Sequence, residues 1–125
     1  MTTGEVAMKE VIDKSAVLRN LDGDRQLLGE LIDIFLAEAG RMLQAVSLAA
    51  TSQDPVGLSR AAHELKGSVS IFGCPSTAEA ALMLETMGRN HDLRNATEGL
   101  AKLNALMKNL EEVLHEWRQE TCPEP

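Results

Sequence analysis

The side chains best suited to chemistry lie in the stretch Ala61-Ala62-His63-Glu64-Leu65-Lys66-Gly67-Ser68-Val69-Ser70-Ile71-Phe72-Gly73. On a helix turning about 100° per residue, Leu58, Ala62, Leu65, Val69 and Phe72 gather on one face, and His63 falls about 140° from it. Lys66, Ser70 and Ser59 lie beside His63, and Gly67 is nearly opposite the core. His63, Lys66, Gly67 and Ser70 therefore form one solvent-facing patch. A neutral imidazole is a nucleophile, and a lysine three residues on can swing its ammonium over the ring, which disfavours imidazolium. The same cation would neutralise a dianionic phosphoryl group carried on that ring. Glycine inside a helix costs about 1 kcal/mol relative to alanine. On an exposed face, the use of Gly67 is to let other atoms approach closely. Alone, an exposed His beside a Lys is ordinary solvated surface. The combination at i, i+3 and i+4 on one face is what argues for chemistry.

Helices must hold these residues. Residues 5–21 carry a weak helical pattern, with Asp13 as N-cap for a short segment containing Val17, Leu18 and Leu21. Asp22-Gly23-Asp24 breaks it. From Arg25 to about Thr51, steps of three and four through Leu28, Leu31, Ile32, Phe35, Ala39, Met42, Leu43 and Val46 mark one buried stripe. Asp54-Pro55 caps and starts the helix of His63, which Gly73-Cys74-Pro75 ends. Ser76-Thr77-Ala78-Glu79 reads as a capping box for a helix through Leu84 and Met87 to Gly88. Asn95-Ala96-Thr97-Glu98 reads as a second cap. Beyond it, Ala96, Leu100, Leu103, Met107, Leu110, Leu114 and Trp117 form a heptad-like seam. The expectation is an all-α fold, an antiparallel up-down-up-down four-helix bundle with a short additional N-terminal helix. Residues 1–10 read as an N-terminal extension, 11–120 as the bundle and 121–125 as a tail.

Composition agrees and excludes several classes. The chain has 125 residues, 44% hydrophobic and 25% charged, the balance of a globular domain. Aromatics are 2%, too few for a β-sandwich or barrel core. A net charge of −7 argues against nucleic acid, whose phosphates demand a basic face. No apolar run is long enough for a membrane span, and no signal peptide is visible, so a cytoplasmic protein is expected. Cys74 and Cys122 sit in no metal-ligand spacing and read as reduced thiols. The six Met residues read as core filling.

The segment Ala62-His63-Glu64-Leu65-Lys66-Gly67-Ser68, followed by Gly73, resembles the signature of histidine-containing phosphotransfer (HPt) domains. That signature runs alanine, His, any residue, Leu, Lys, Gly, then Ser or Ala, with a glycine six residues past the Lys-Gly glycine. The resemblance extends to the Gly23-Asp24 turn, the long helix with Phe35, and Leu84-Glu85, and covers residues 11–117. It implies that His63 accepts a phosphoryl group, that Lys66 stabilises it, and that Gly67 clears room for a partner. Arg89 matches a position where the family often has a basic residue. Glu64 departs from the more frequent Thr or Ser and points away from the patch. The partners implied are response-regulator receiver domains, which would supply the aspartate and Mg²⁺, and a hybrid histidine kinase. No cofactor is expected on this chain itself.

The nucleotide-binding patterns G-x-x-x-x-G-K and G-x-G-x-x-G before a helix are both missing, so relay rather than self-phosphorylation is expected. Gly67 removes the second ligand of an H-E-x-x-H zinc site. His91 sits in a polar loop, and His115 near the last helix's end complements its dipole. Arg60, Lys66 and the exposed Ile71 would extend the docking surface around Gly67 and Ser70, presented by a monomer to transient partners. Two other readings fit the residues: the phosphoacceptor domain of a chemotaxis-type histidine kinase, and a helical adaptor or dimerisation module in which His63 does no chemistry.

Overall fold

The computed structural model describes residues 10–121. Residues 1–9 of the expected extension lie outside them, as do Cys122 and the Pro123–Pro125 end. Five helices follow in order: α1 Lys14–Asn20, α2 Arg25–Thr51, α3 Pro55–Ser70, α4 Pro75–Arg89 and α5 Ala96–Thr121. Among the described residues there is no strand.

Three aspartates start three helices. Asp13, Asp24 and Asp54 accept from the backbone N–H groups of Ala16, Leu27 and Gly57 at 3.2, 2.9 and 3.0 Å. Each bond satisfies a donor that the first turn leaves without a partner. Pro55 occupies the first turn of α3, where its missing N–H costs nothing. After Ser70 the chain leaves the helix through Ile71 and Phe72, and Gly73 turns it with φ +61°, a region side chains rarely adopt.

The start of α4 corrects the sequence reading. The helix begins at Pro75, so Ser76 and Thr77 lie inside its first turn and cannot form a capping box. Cys74 at the N-cap offers no side-chain bond. A distant carboxylate does that work. Glu10 accepts from Ser76 N at 2.5 Å, Thr77 N at 3.0 Å and Thr77 Oγ1 at 2.8 Å. Asn109 Nδ2 donates to the Glu10 carbonyl at 3.1 Å, tying the same residue to α5. Glu10 closes the extension expected over residues 1–10 and is docked on the bundle.

Helix α2 packs on α3 and α5, and α4 packs on the same two, which closes a ring of four. Leu58, Ala62, Leu65 and Val69 of α3 are fully buried, as are Leu103, Met107, Leu110 and Leu114 of α5. Phe35 and Phe72 meet edge to face with centroids 5.4 Å apart, joining α2 to the turn after α3. Val17 of α1 joins the core at one end of the bundle, near Gly73. The methionines divide: Met42 and Met107 are buried, whereas Met83 is 47% exposed on the outer face of α4.

Candidate functional site

Helices α3 and α4 come into close backbone contact at Gly88. A β-carbon there would lie 2.5 Å from the Pro55 carbonyl oxygen and 2.7 Å from Ser59 N. Only glycine permits that contact. The two helices run antiparallel. One turn further along each, from Ser59 to His63 and from Gly88 back to Glu85, the close approach sets an imidazole against a carboxylate.

His63 Nδ1 is 3.0 Å from Glu85 Oε2. The Lys66 ammonium is 2.9 Å from Oε1, and Arg89 donates from Nη2 to Oε2 at 2.9 Å. The Lys66 contact lies off the directions a hydrogen bond needs, so Oε1 is held by charge rather than by a directed bond. Glu85 is only 6% exposed. Burial pushes its carboxyl up, but the close Lys66 ammonium and the His63 bond outweigh that and hold it below the ordinary value of 4.5. Glu85 is therefore ionised at neutral pH.

An ionised carboxylate can only accept, so Nδ1 of His63 carries the proton in the neutral ring. The Nε2 lone pair is left for chemistry, on a side chain 69% exposed. The structure adds a partner for Lys66 that the sequence did not reveal. Its ammonium is drawn to the buried carboxylate, which demands neutralisation more strongly than solvated surface does. The tautomer of His63 is set by Glu85.

The remaining sequence candidates separate around α3. Ser70 lies on the His63 side, exposed, with Oγ donating to the Lys66 carbonyl at 2.8 Å. Gly67 is on the outward crest, and a β-carbon added there meets nothing within 4 Å. Arg60 is exposed one turn before His63, outside the Glu85 cluster. Ile71, 46% exposed, borders a depression between α2 and α3 that Ile34 and Phe35 also line. Arg89 joins the cluster through Glu85. Glu64 turns from the patch as expected and meets Arg41 of α2 at 3.0 Å. His91, exposed in the turn after α4, and His115, exposed on α5, stand apart from the cluster.

In the sequence Glu85 stands out only within the pair Leu84-Glu85. A signal for it exists in the sequence. Ala81, Leu84 and Gly88 set the buried stripe of α4 and place Glu85 on its flank, with Arg89 four residues on as an ion-pair partner.

Cys74 is a free, buried thiol. Desolvation, with the Glu10 charge nearby, pushes it up to about 12, and its Sγ donates to the Val69 carbonyl at 3.1 Å. It is a structural residue. No helix among the described residues is long and apolar enough to cross a membrane.

Comparison with known proteins bears on the fold and the family. The family model described as Hpt domain matches residues 30–115. No curated protein matches the chain significantly in sequence. The fold is similar to the crystal structure of histidine-containing phosphotransfer protein B (HptB) from Pseudomonas aeruginosa PAO1. That match has a TM-score of 0.80 at 20% identity, covering 87% of this chain and 95% of the other. With the signature around His63 on an exposed face of the bundle and the family model spanning most of the sequence, the chain belongs to the Hpt domain family, the histidine phosphotransfer domains of phosphorelays.

Proposed function

We propose that His63 is the phosphoryl acceptor and donor of this domain, attacking through Nε2. The observation that carries this reading is the Nδ1 contact to Glu85, which places the proton of the neutral ring on Nδ1 and leaves the Nε2 lone pair on an exposed side chain. In the forward step the Nε2 lone pair attacks the phosphorus of an aspartyl phosphate on a receiver domain. The N–P bond forms as the P–O bond to the aspartate breaks, and the aspartate leaves as a carboxylate. The Nδ1 proton stays on the ring. The resulting imidazolium character is stabilised by Glu85, as a carboxylate stabilises a histidine that gains charge during catalysis. Transfer to a second receiver reverses these bonds.

Lys66 and Arg89, both resting on Glu85 beside the ring, are the cations within reach of the phosphoryl oxygens. Gly67 leaves the crest open for the receiver, with Ser70, Arg60 and Ile71 around it as the docking surface. Mg²⁺ belongs to the receiver's side of the reaction, because the buried carboxylate of this site is already neutralised by its own cations. The chain works as a monomeric cytoplasmic phosphocarrier, without autokinase activity of its own, between receiver domains or between a hybrid histidine kinase and a receiver.

The test is intact-mass analysis after incubation with a phosphorylated receiver domain, for the native chain and for His63→Gln. One acid-labile phosphoryl addition on the native chain, absent from a folded His63→Gln variant, is the expected result. An addition that persists in the variant would move the acceptor to His91 or His115.

A further inference from the structure

The side of α3 turned toward α2 carries a feature the transfer step does not use. Glu64, the residue after His63, accepts from Arg41 Nη2 at 3.0 Å, while Arg41 Nε donates to Glu38 Oε1 at 2.6 Å. All three side chains are about half exposed, at 51%, 57% and 48% for Glu64, Arg41 and Glu38. The Glu38 bond first, then the Glu64 bond, holds the guanidinium above the ordinary arginine value. Two depressions border Glu64. One, of about 140 Å³, is lined by Ile34, Phe35, Ile71 and Phe72; the other lies against Ala45, Leu48, Gly57 and Arg60. Ile34, Leu48 and Ile71 are 62%, 65% and 46% exposed. The second depression also has Ser52, Asp54 and Arg60 in its wall, so Glu64 stands between a mostly apolar hollow and a mixed one, on the residue after His63.

Arg41 is neutralised twice. Glu38, three residues earlier on the same helix, holds it whether or not Glu64 does. Glu64 can therefore turn to an incoming cation without leaving a charge unpaired, and exposed ion pairs of this kind contribute little to stability. The rim also carries Arg60, one turn before Glu64 and opposite in charge.

We propose that Glu64 determines which receivers this domain serves. Its carboxylate takes a basic side chain on the receiver's docking face, and the depression lined by Ile34 and Ile71 receives an apolar residue beside that base. This rests on the phosphotransfer reading above. Charge at such a position acts mainly on association rate and on the exclusion of wrong partners. Receivers with Lys or Arg at the matching position are favoured, and those with an acidic residue there are excluded.

The experiment uses two donors on the full chain and on Glu64→Ser and Glu64→Lys. Phosphoramidate, a small donor with no docking face, reports the chemistry of His63 alone. Receiver domains of the same organism, loaded with acetyl phosphate, report recognition through kcat/KM at low and high salt. Loading by phosphoramidate is expected to stay within about twofold in all three proteins. With the preferred receiver, Glu64→Lys should lower kcat/KM by about tenfold or more at low salt, less at high salt, and change the ranking of receivers. Exchanging the receiver's matching base for Glu should restore transfer to Glu64→Lys. The proposal is overturned if both variants keep the native ranking, or slow every receiver by one common factor. If neither donor labels His63 in the native chain, the phosphotransfer reading itself fails.

Discussion

At the scale of single residues, Glu85 and Gly67 divide the work around His63, one inward and one outward. Glu85 is buried and holds the Nδ1 side of the ring. Glu85→Gln keeps the shape but offers an amide that no longer enforces one tautomer. A drop in transfer of about 10–100-fold is expected, the usual effect of removing a histidine's orienting carboxylate. ¹⁵N NMR of the His63 ring should show the Nδ1–H tautomer giving way to a mixture. Stability carries a matching signature. A carboxyl held below 4.5 in the folded state contributes stability fully above pH 4.5, and that contribution is lost as pH falls below it. Urea midpoints of Glu85→Gln should therefore change less than those of the native chain as pH falls through this range. Gly67 has no neighbour within 4 Å, so Gly67→Ala should raise stability by about 0.5–1 kcal/mol, the helix-interior difference between the two residues. The same variant should slow transfer from a receiver. A variant both more stable and slower would show that the glycine serves the partner rather than the fold.

Among elements, the contact between α3 and α4 is decisive. Gly88 allows a backbone approach that no side chain could share, and one turn away that approach brings Glu85 to His63. Gly88→Ala must push α4 outward, because its β-carbon would meet the fixed backbone of Pro55 and Ser59. The expected cost is about 1–3 kcal/mol, typical of overpacking. Urea denaturation gives the stability change, and loss of the His63–Glu85 contact would show in the same ¹⁵N spectra. The variant should therefore lose transfer even where it remains folded, although residue 88 touches neither donor nor acceptor. Glu10 has a comparable positioning role at the other end of α4, where it replaces the cap that Cys74 cannot supply.

Across the whole molecule, the closed ring of four helices makes one continuous core. Trp117, the single tryptophan, is 7% exposed in that core. Its fluorescence and the far-ultraviolet helical signal should disappear in one coincident urea transition, as for a single cooperative domain. Two separate transitions would mean that α5 detaches before the rest. The bundle also keeps His63 on its surface, 69% exposed, which suits the proposed role of a carrier that hands a group between partners.

Much of this protein was determined by sequence alone, because helix starts and apolar stripes are local. Asp13 and Asp54 announce two helices through hydrogen bonds that span three residues, and Asp24, legible only as part of a break, caps a third in the same way. The stripe Leu58, Ala62, Leu65, Val69 settles which way His63 must face. The exposed positions of His63 and Gly67 were legible for that reason. The start of α4 was misread, since its cap comes from Glu10, 66 residues before Ser76, and no local pattern encodes such a partner. Glu85 had no assigned role for the same reason. Only tertiary structure decided that the flank of α4 would lie against the flank of α3, with Gly88 setting the distance. That packing turned a glutamate at the edge of an apolar stripe into the buried charge that orients His63 and gathers Lys66 and Arg89 beside it.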